Sequence, residues 1–431
     1  SGTSMATPYT AGVQALILQH LRSTRPDLTG LERTQVMKAL IMNTAEPLMD
    51  VDNYSPEEQV IYSVRLQGAG LLHAKDALES PVIATYKGEP KVELKEIAAN
   101  TVFTITLHNF GTEPVTFTTN NGTLYTDYTD PETLEYYMQP IHSSICLKYA
   151  QKTITVPAGE SVNVDVTLHI TDYFQTYLPE NSWVEGYVQF YGENDQTISL
   201  PLLAYYGDWD GEQIIDDPWY TGKAITTQKL GATYSTLLTY PTDVLAGYRI
   251  IEGGDEDYIA FAPGTQSSTN ALTLWTTMLR NAKDVTVEIL DSSGSVIRTV
   301  ADIHDVSRSS LDTIAKAGST KLSTASGTVG WDGTVYDPAT GEYAVVPDGT
   351  YYMRIGARAD LESGEMQYTT MKMTADTVPP VVDAAVYEDN GHFYVEFTMS
   401  DNFCMGDICG YSVNGSADDA RIFWPRKNCT Y

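Results

Sequence analysis

The sequence predicts a multidomain chain, a helical segment followed by a row of antiparallel β-sandwiches. Three observations carry this. Apolar residues recur at helical spacing only within residues 1–80. From Pro81 onward the period changes to two, and the short alternating stretches are separated by turn-forming residues. Tyrosine (29) far exceeds phenylalanine (10), which suits half-exposed sheet faces where a ring keeps one wet end. At 431 residues the chain accommodates several domains, which we place at 1–80, 81–211, 212–377 and 378–431.

Residues 5–22 read as a helix, with Ala11, Ala15, Leu18 and Leu21 at helical spacing and Val13, Leu16 and Ile17 widening the apolar surface. A helix apolar nearly all round is a buried helix. Pro26 and Gly30 end it, and residues 31–44 form a second helix with Val36, Ala39, Leu40 and Ile41 facing in. Gln67-Gly68-Ala69-Gly70-Leu71-Leu72 is a tight turn, followed by a short helix from Ala74 to Leu78. The first sandwich reads from Thr101–His108, the Asn109–Thr112 turn, Val115–Thr119, Ile154–Pro157, Val162–Ile170, Val184–Tyr191 and Ile198–Leu202, ending at Tyr206-Gly207-Asp208-Trp209. In the second, Val285–Leu290 and Val296–Val300 flank an Asp291-Ser292-Ser293-Gly294 turn. Trp331-Asp332-Gly333 and Asp348-Gly349-Thr350-Tyr351 supply further turns, where the aspartates form Asx-type hydrogen bonds rather than act as catalytic acids. Thr377–Pro380 is a linker, and Val381–Ser400 opens a third sandwich.

The chemistry-bearing stretch is Ser1-Gly2-Thr3-Ser4-Met5-Ala6-Thr7-Pro8. Small residues lead into Ser4 and an apolar helix follows, so the serine stands at a helix N-terminus with its own amide aimed at whatever lies beside it. Pro8 is placed in the first turn, where a missing N–H removes no helical bond. A serine in such a position also serves as a plain helix cap.

Gly2-Thr3-Ser4-Met5-Ala6-Thr7-Pro8 resembles, residue for residue, the nucleophile motif of the subtilases, the subtilisin-like serine peptidases. Asn43-Thr44-Ala45 and Gln67–Gly70 also look like the closing segment of that peptidase domain. The resemblance implies that residues 1–80 are the C-terminal helical part of a subtilisin-like α/β domain. It implies too that Ser4 is the acyl-forming nucleophile and that its backbone N–H is an oxyanion donor. In that family the chain order is Asp, His, an oxyanion Asn, then Ser. All three partners would precede residue 1, whereas His20, His73, His108, His142, His169, His304 and His392 follow Ser4 and are read as structural or surface residues. The chain is therefore expected to be a piece of a longer protein, inactive alone. The first helix should then lack the sheet it packs on, leaving Leu16, Leu18 and Leu21 exposed. The Gly186 strand and the Tyr206–Trp209 ending resemble the first fibronectin type III-like domain of lactocepin-type cell-envelope proteinases and related complement-cleaving surface peptidases.

Net charge is −30, of which residues 1–80 contribute −3 and the rest −27. This argues against nucleic acid and anionic membranes as partners, and suits a solvated extracellular surface. No stretch is long enough for a membrane span. Cys146 is isolated, and Cys404, Cys409 and Cys429 crowd the end with no CxxC pair, which argues against zinc. A Cys404–Cys409 or a Cys409–Cys429 disulfide suits an oxidising compartment. Gly253-Gly254-Asp255-Glu256-Asp257 offers Asp255 and Asp257 as calcium ligands against the default of a solvated acidic turn; Asp208, Asp210, Asp216 and Asp217 are weaker. No organic cofactor is expected. The expected function is part of a secreted or wall-associated serine endopeptidase acting on protein or peptide substrates. The alternative is a non-catalytic adhesin or stalk of β-sandwiches with a degenerate peptidase domain.

Overall fold

The computed structural model describes residues 2–51, 54, 60–122, 124–129, 136–140, 145–172, 181–193, 196–232, 235–246, 259–310, 319–324, 327–361, 363–400, 402, 412–413 and 416–417. The chain is mostly β-sheet with few helices and divides into two compact units, Ser1–Gly211 and Glu212–Tyr431.

In the first unit, α1 spans Thr3–Thr24, α2 Gly30–Asn43, α3 Val64–Gln67 and α4 Ala74–Glu79. A capping box starts α2: the Glu32 N–H donates to Thr29 Oγ1 (3.3 Å) and the Thr29 N–H donates to Glu32 Oε2 (2.9 Å). The turn after α3 forms as its glycines require. Gly68 takes φ +61°, and a Cβ at Gly70 would lie 2.2 Å from the Glu46 carbonyl oxygen, beside the Glu46–Leu71 bridge.

Two sheets follow. The first orders β1 (Val82–Thr85), β3 (Asn100–Asn109), β9 (Ser161–Ile170) and β7 (Ile145–Tyr149). The second orders β2 (Val92–Glu96), β11 (Thr197–Tyr206), β10 (Ser182–Tyr191), β4 (Val115–Thr118) and β8 (Thr153–Val156), with β5 (Leu124–Thr129) on β10 and β6 (Tyr136–Pro140) on β5. The β2–β11 pair is parallel and the others are antiparallel. Alternation drives the packing: Phe103, Ile105 and Leu107 of β3 meet Val164, Val166 and Leu168 of β9, and Val188, Phe190, Leu200 and Leu202 come from the opposite sheet.

Strand β1 serves two cores. Val82 and Ala84 face into the sandwich, whereas Ile83 points the other way and joins Val13, Ile17, Leu21, Met37, Leu40 and Ala77 of the helices. This corrects one sequence expectation: Leu21 is buried, because α1 lays Val13, Ile17 and Leu21 against α2 and α4. Leu18 is partly buried on the same cluster, and only Leu16, at 51 %, stays exposed. Met5 and Tyr9 are exposed on the same side as Leu16.

The second unit contains a five-stranded sheet in the order Ala260–Phe261, Met366–Ala375, Gly349–Arg358, Ala282–Leu290, Val296–Val306. A smaller sheet is built on Leu272–Thr276, and Trp331 is buried between Phe261 and Tyr351. The hairpin at Asp291 forms: its carboxylate accepts from the N–H groups of Ser293 (2.8 Å) and Ser295 (3.0 Å). Asp332 likewise accepts from the Thr334 N–H (3.1 Å). Asp348 departs from a local Asx turn and accepts from the N–H (3.0 Å) and hydroxyl (2.9 Å) of Thr377, just past the end of the neighbouring strand Met366–Ala375. Val381–Asp389 pairs with His392–Ser400 as a two-stranded hairpin. Cys404, Cys409 and Cys429 lie outside the described residues, and among the described residues Cys146 has no disulfide partner.

Candidate functional site

Ser4 is the second residue of α1, and residues 2–9 are all exposed. Amides at this position have no carbonyl partner within the helix, so they are free in geometry to receive an anion, and the helix dipole favours negative charge there. The Met5 and Ala6 amides behind it both donate to the Gly2 carbonyl (2.9 and 3.2 Å). Because α1 begins at Thr3, Pro8 is its sixth residue rather than a first-turn residue. The proline supplies no N–H to the Ser4 carbonyl, so the helix is weakened behind the serine. The Thr7 hydroxyl folds back onto the Thr3 carbonyl (2.8 Å).

Among the described residues no hydrogen-bond partner of the Ser4 hydroxyl is found and no histidine is placed to serve as its base; His142 and the His392 side chain lie outside what is described. His20 lies on the same helix, about 24 Å along the axis at 1.5 Å per residue. His73 pairs with Glu46 (3.0 Å), His108 with Ser161 (2.8 Å), His169 with Asn100 (2.5 Å) and His304 with Asp284 (2.7 Å). Burial, aided by the Arg25 charge, holds the His108 imidazole below its ordinary pKa. A serine hydroxyl without a base is a weak nucleophile, and among the described residues Ser4 has helix-terminal amides beside it but no proton acceptor.

The C-terminus of α2 is built differently. Asn43, the last residue of α2, is fully buried. Its Oδ1 accepts from the Ala84 N–H (2.8 Å) and its Nδ2 donates to the Ser199 carbonyl (3.2 Å). Below it, the buried Glu185 carboxylate accepts from Ser63 Oγ (2.7 Å) and from Arg65 Nε (3.1 Å) and Nη2 (2.8 Å). The Arg65 guanidinium also lies over the Trp183 ring, 5.0 Å from its centroid. Burial, reinforced by the Glu185 charge, pushes the Tyr187 phenol well above its ordinary pKa, so it remains a donor to the Gly68 carbonyl (2.7 Å). Sequence reading missed both Asn43 and Glu185 as site-supporting residues. The signal for Glu185 was a lone acid within the apolar β10, Trp183-Val184-Glu185-Gly186-Tyr187-Val188.

The proposed calcium ligands Asp255 and Asp257 lie outside the described residues. Among the described residues no group of three or more His, Cys, Asp or Glu is placed to hold a metal ion. Asp216 is fully buried and spent on structure, accepting from the Ile225 N–H (2.7 Å) and the Thr226 N–H (3.1 Å). Asp208 accepts from the amides of Asp210 (3.1 Å) and Gly211 (2.8 Å). Among the described residues no helix is long and apolar enough to cross a membrane.

Comparison with known proteins matches residues 1–70 to the subtilase family and residues 92–203 to an Fn3-like domain. The PI-type proteinase of Lactococcus lactis subsp. cremoris is 33 % identical over 382 residues, which is 82 % of this chain and 19 % of that protein. The PII-type proteinase of Lacticaseibacillus paracasei is 33 % identical over 383 residues, with the same coverage. The C5a peptidase of Streptococcus pyogenes is 24 % identical over 452 residues, 90 % of this chain and 37 % of that protein. The chain spans about a fifth of the length of the proteinases it matches at 33 % identity.

Proposed function

We propose, from the match of residues 1–70 to the subtilase family and of residues 92–203 to an Fn3-like domain, that the chain is part of a secreted or cell-surface serine endopeptidase whose nucleophile is Ser4. The observation that carries the reading is the place of Ser4, at the exposed N-terminus of an α-helix, in a motif that resembles the family's nucleophile segment and lies within the matched residues 1–70.

In this reading a base takes the Ser4 Oγ proton, and Oγ attacks the scissile carbonyl carbon. The Ser4 N–H stabilises the oxyanion, and the amine departs to leave an acyl-enzyme that water hydrolyses. The Asp, His and oxyanion Asn are supplied by sequence N-terminal to residue 1. The relatives' far greater length supports this, and so does the exposed apolar stripe of Met5, Tyr9 and Leu16. That stripe is covered by the remainder of a subtilisin-like α/β domain, of which α1, α2 and α4 are the closing helices. The substrates are proteins or peptides, in keeping with relatives named as proteinases and a peptidase. The domain boundaries at residues 80, 211 and 377, the calcium at Asp255 and Asp257, and the surface location belong to the same proposal.

The test is hydrolysis of a quenched-fluorescent protein substrate by the longer protein and by its Ser4→Ala variant. Loss of about 10⁶-fold in kcat is expected on removing a triad serine. Unchanged hydrolysis in the variant, or none by the folded longer protein, overturns the assignment, and the second result favours an adhesin or stalk.

A further inference from the structure

We propose that the Fn3-like domain is the folding partner of the Ser4-bearing helix pair rather than an appended spacer, with Asn43 and Glu185 as the two clasps. Three observations converge on this. First, among the described residues β1 pairs only with β3, and Asn43 Oδ1 accepts the Ala84 N–H on its other edge. Second, Ser199 lies on β11 ahead of Leu202–Tyr205, the stretch that β2 covers, and its carbonyl takes the Asn43 Nδ2–H. One amide side chain thus satisfies a donor on one sheet and an acceptor on the other, at Ala84 and Ser199, which are themselves 0 % and 1 % exposed. Third, Glu185 is 0 % exposed in the middle of β10, and the partners of its carboxylate, Ser63 and Arg65, belong to the helical segment. Without that segment the sandwich would hold a buried charge with no cation.

Strand β1 makes the dependence mutual. Its residues alternate between the two cores, Val82 and Ala84 to the sandwich and Ile83 to the helices, so neither core closes without it. Residues 1–211 are therefore one cooperative unit, in line with their clustering as one compact body. For Ser4 this means that the sandwich fixes the end of α2, α2 holds the Val13–Ile17–Leu21 stripe of α1, and α1 carries the nucleophile. The inference rests on the proposed role of Ser4 only for that catalytic consequence.

Hydrogen exchange followed by mass spectrometry on the 431-residue chain tests it without any activity. In the unsubstituted protein, α2 amides and β10–β11 amides are expected to exchange through a common opening with the same dependence on urea. Asn43→Ala is expected to accelerate exchange at α2, β1 and β11 together, by about tenfold or more, because it leaves two buried groups unpaired. Glu185→Gln is expected to accelerate α3 and β10 together. Helices that exchange through a separate, lower-energy opening in the unsubstituted protein overturn the proposal, as does Asn43→Ala acceleration confined to α2. If Asn43→Ala does not fold, the unsubstituted comparison and Glu185→Gln decide. A Ser4 without activity leaves the exchange result intact, so the two readings fail separately.

Discussion

The C-terminus of α2 and the N-terminus of α1 show opposite states of completion. At the C-terminus of α2, Asn43 is sealed between two sheets with its amide donor and acceptor groups bonded. At the N-terminus of α1, residues 2–9 are exposed, and Met5 and Tyr9 lie open at 71 % and 59 %. The first end is finished by residues of this chain. The second presents apolar surface that calls for a cover, and it is the end that carries the serine. The contrast teaches that one terminus is anchored by this chain's own buried polar contacts while the other is left to be covered, and the serine stands on the uncovered one.

Adjacent residues on α1 give the sharpest way to break this comparison. Ile17 is fully buried and Leu16 half exposed. Ile17→Ala is expected to destabilise the chain by about 2–5 kcal/mol, and Leu16→Ala by less than about 0.5 kcal/mol, in urea unfolding. Comparable losses at both positions would mean that Leu16 is covered in solution. Arg65→Ala, which strands the Glu185 carboxylate, should cost about 3–5 kcal/mol. A double replacement by Arg65→Met and Glu185→Leu should recover most of that, and failure to recover would assign the loss to packing on Trp183. Thr29→Ala removes the cap of α2 and should cost about 0.5–2 kcal/mol. The smallest effect is pH-linked. Hydrogen bonds from the Thr29 N–H and hydroxyl hold Glu32 below the ordinary carboxylate range. A depressed pKa stabilises the fold above the unfolded value, and the contribution is lost as pH falls through the folded one. Glu32→Gln should therefore flatten the acid limb of α2 exchange between neutral pH and about pH 3. An unchanged limb would place the acid sensitivity elsewhere.

Much of this was legible in the sequence, and the failures have physical causes. Period-two alternation located β3, β9, β10 and β11, because each sends alternate residues into the sandwich core. The Gln67–Gly70 turn was legible because backbone geometry restricts residue choice there, whereas the serine motif was legible only through its resemblance to the subtilases. The burial of Leu21 was not, since an all-round apolar helix does not say which of its sides the chain itself covers. Pro8 was placed a turn too early, because the helix starts at Thr3 rather than Met5. Asn43 reads locally as a helix end, and its partners Ala84 and Ser199 are 41 and 156 residues away. No local pattern carries such a pairing, and the same holds for Asp348 and Thr377.

The most direct measurement is covalent labelling with a fluorophosphonate, mapped by peptide mass spectrometry, on the longer protein and on this 431-residue chain in parallel. The account predicts label on the Ser4-bearing peptide of the longer protein and none on the shorter chain, whose described residues offer Ser4 no base. Label on the shorter chain, or a folded longer protein that takes none at Ser4, would contradict it.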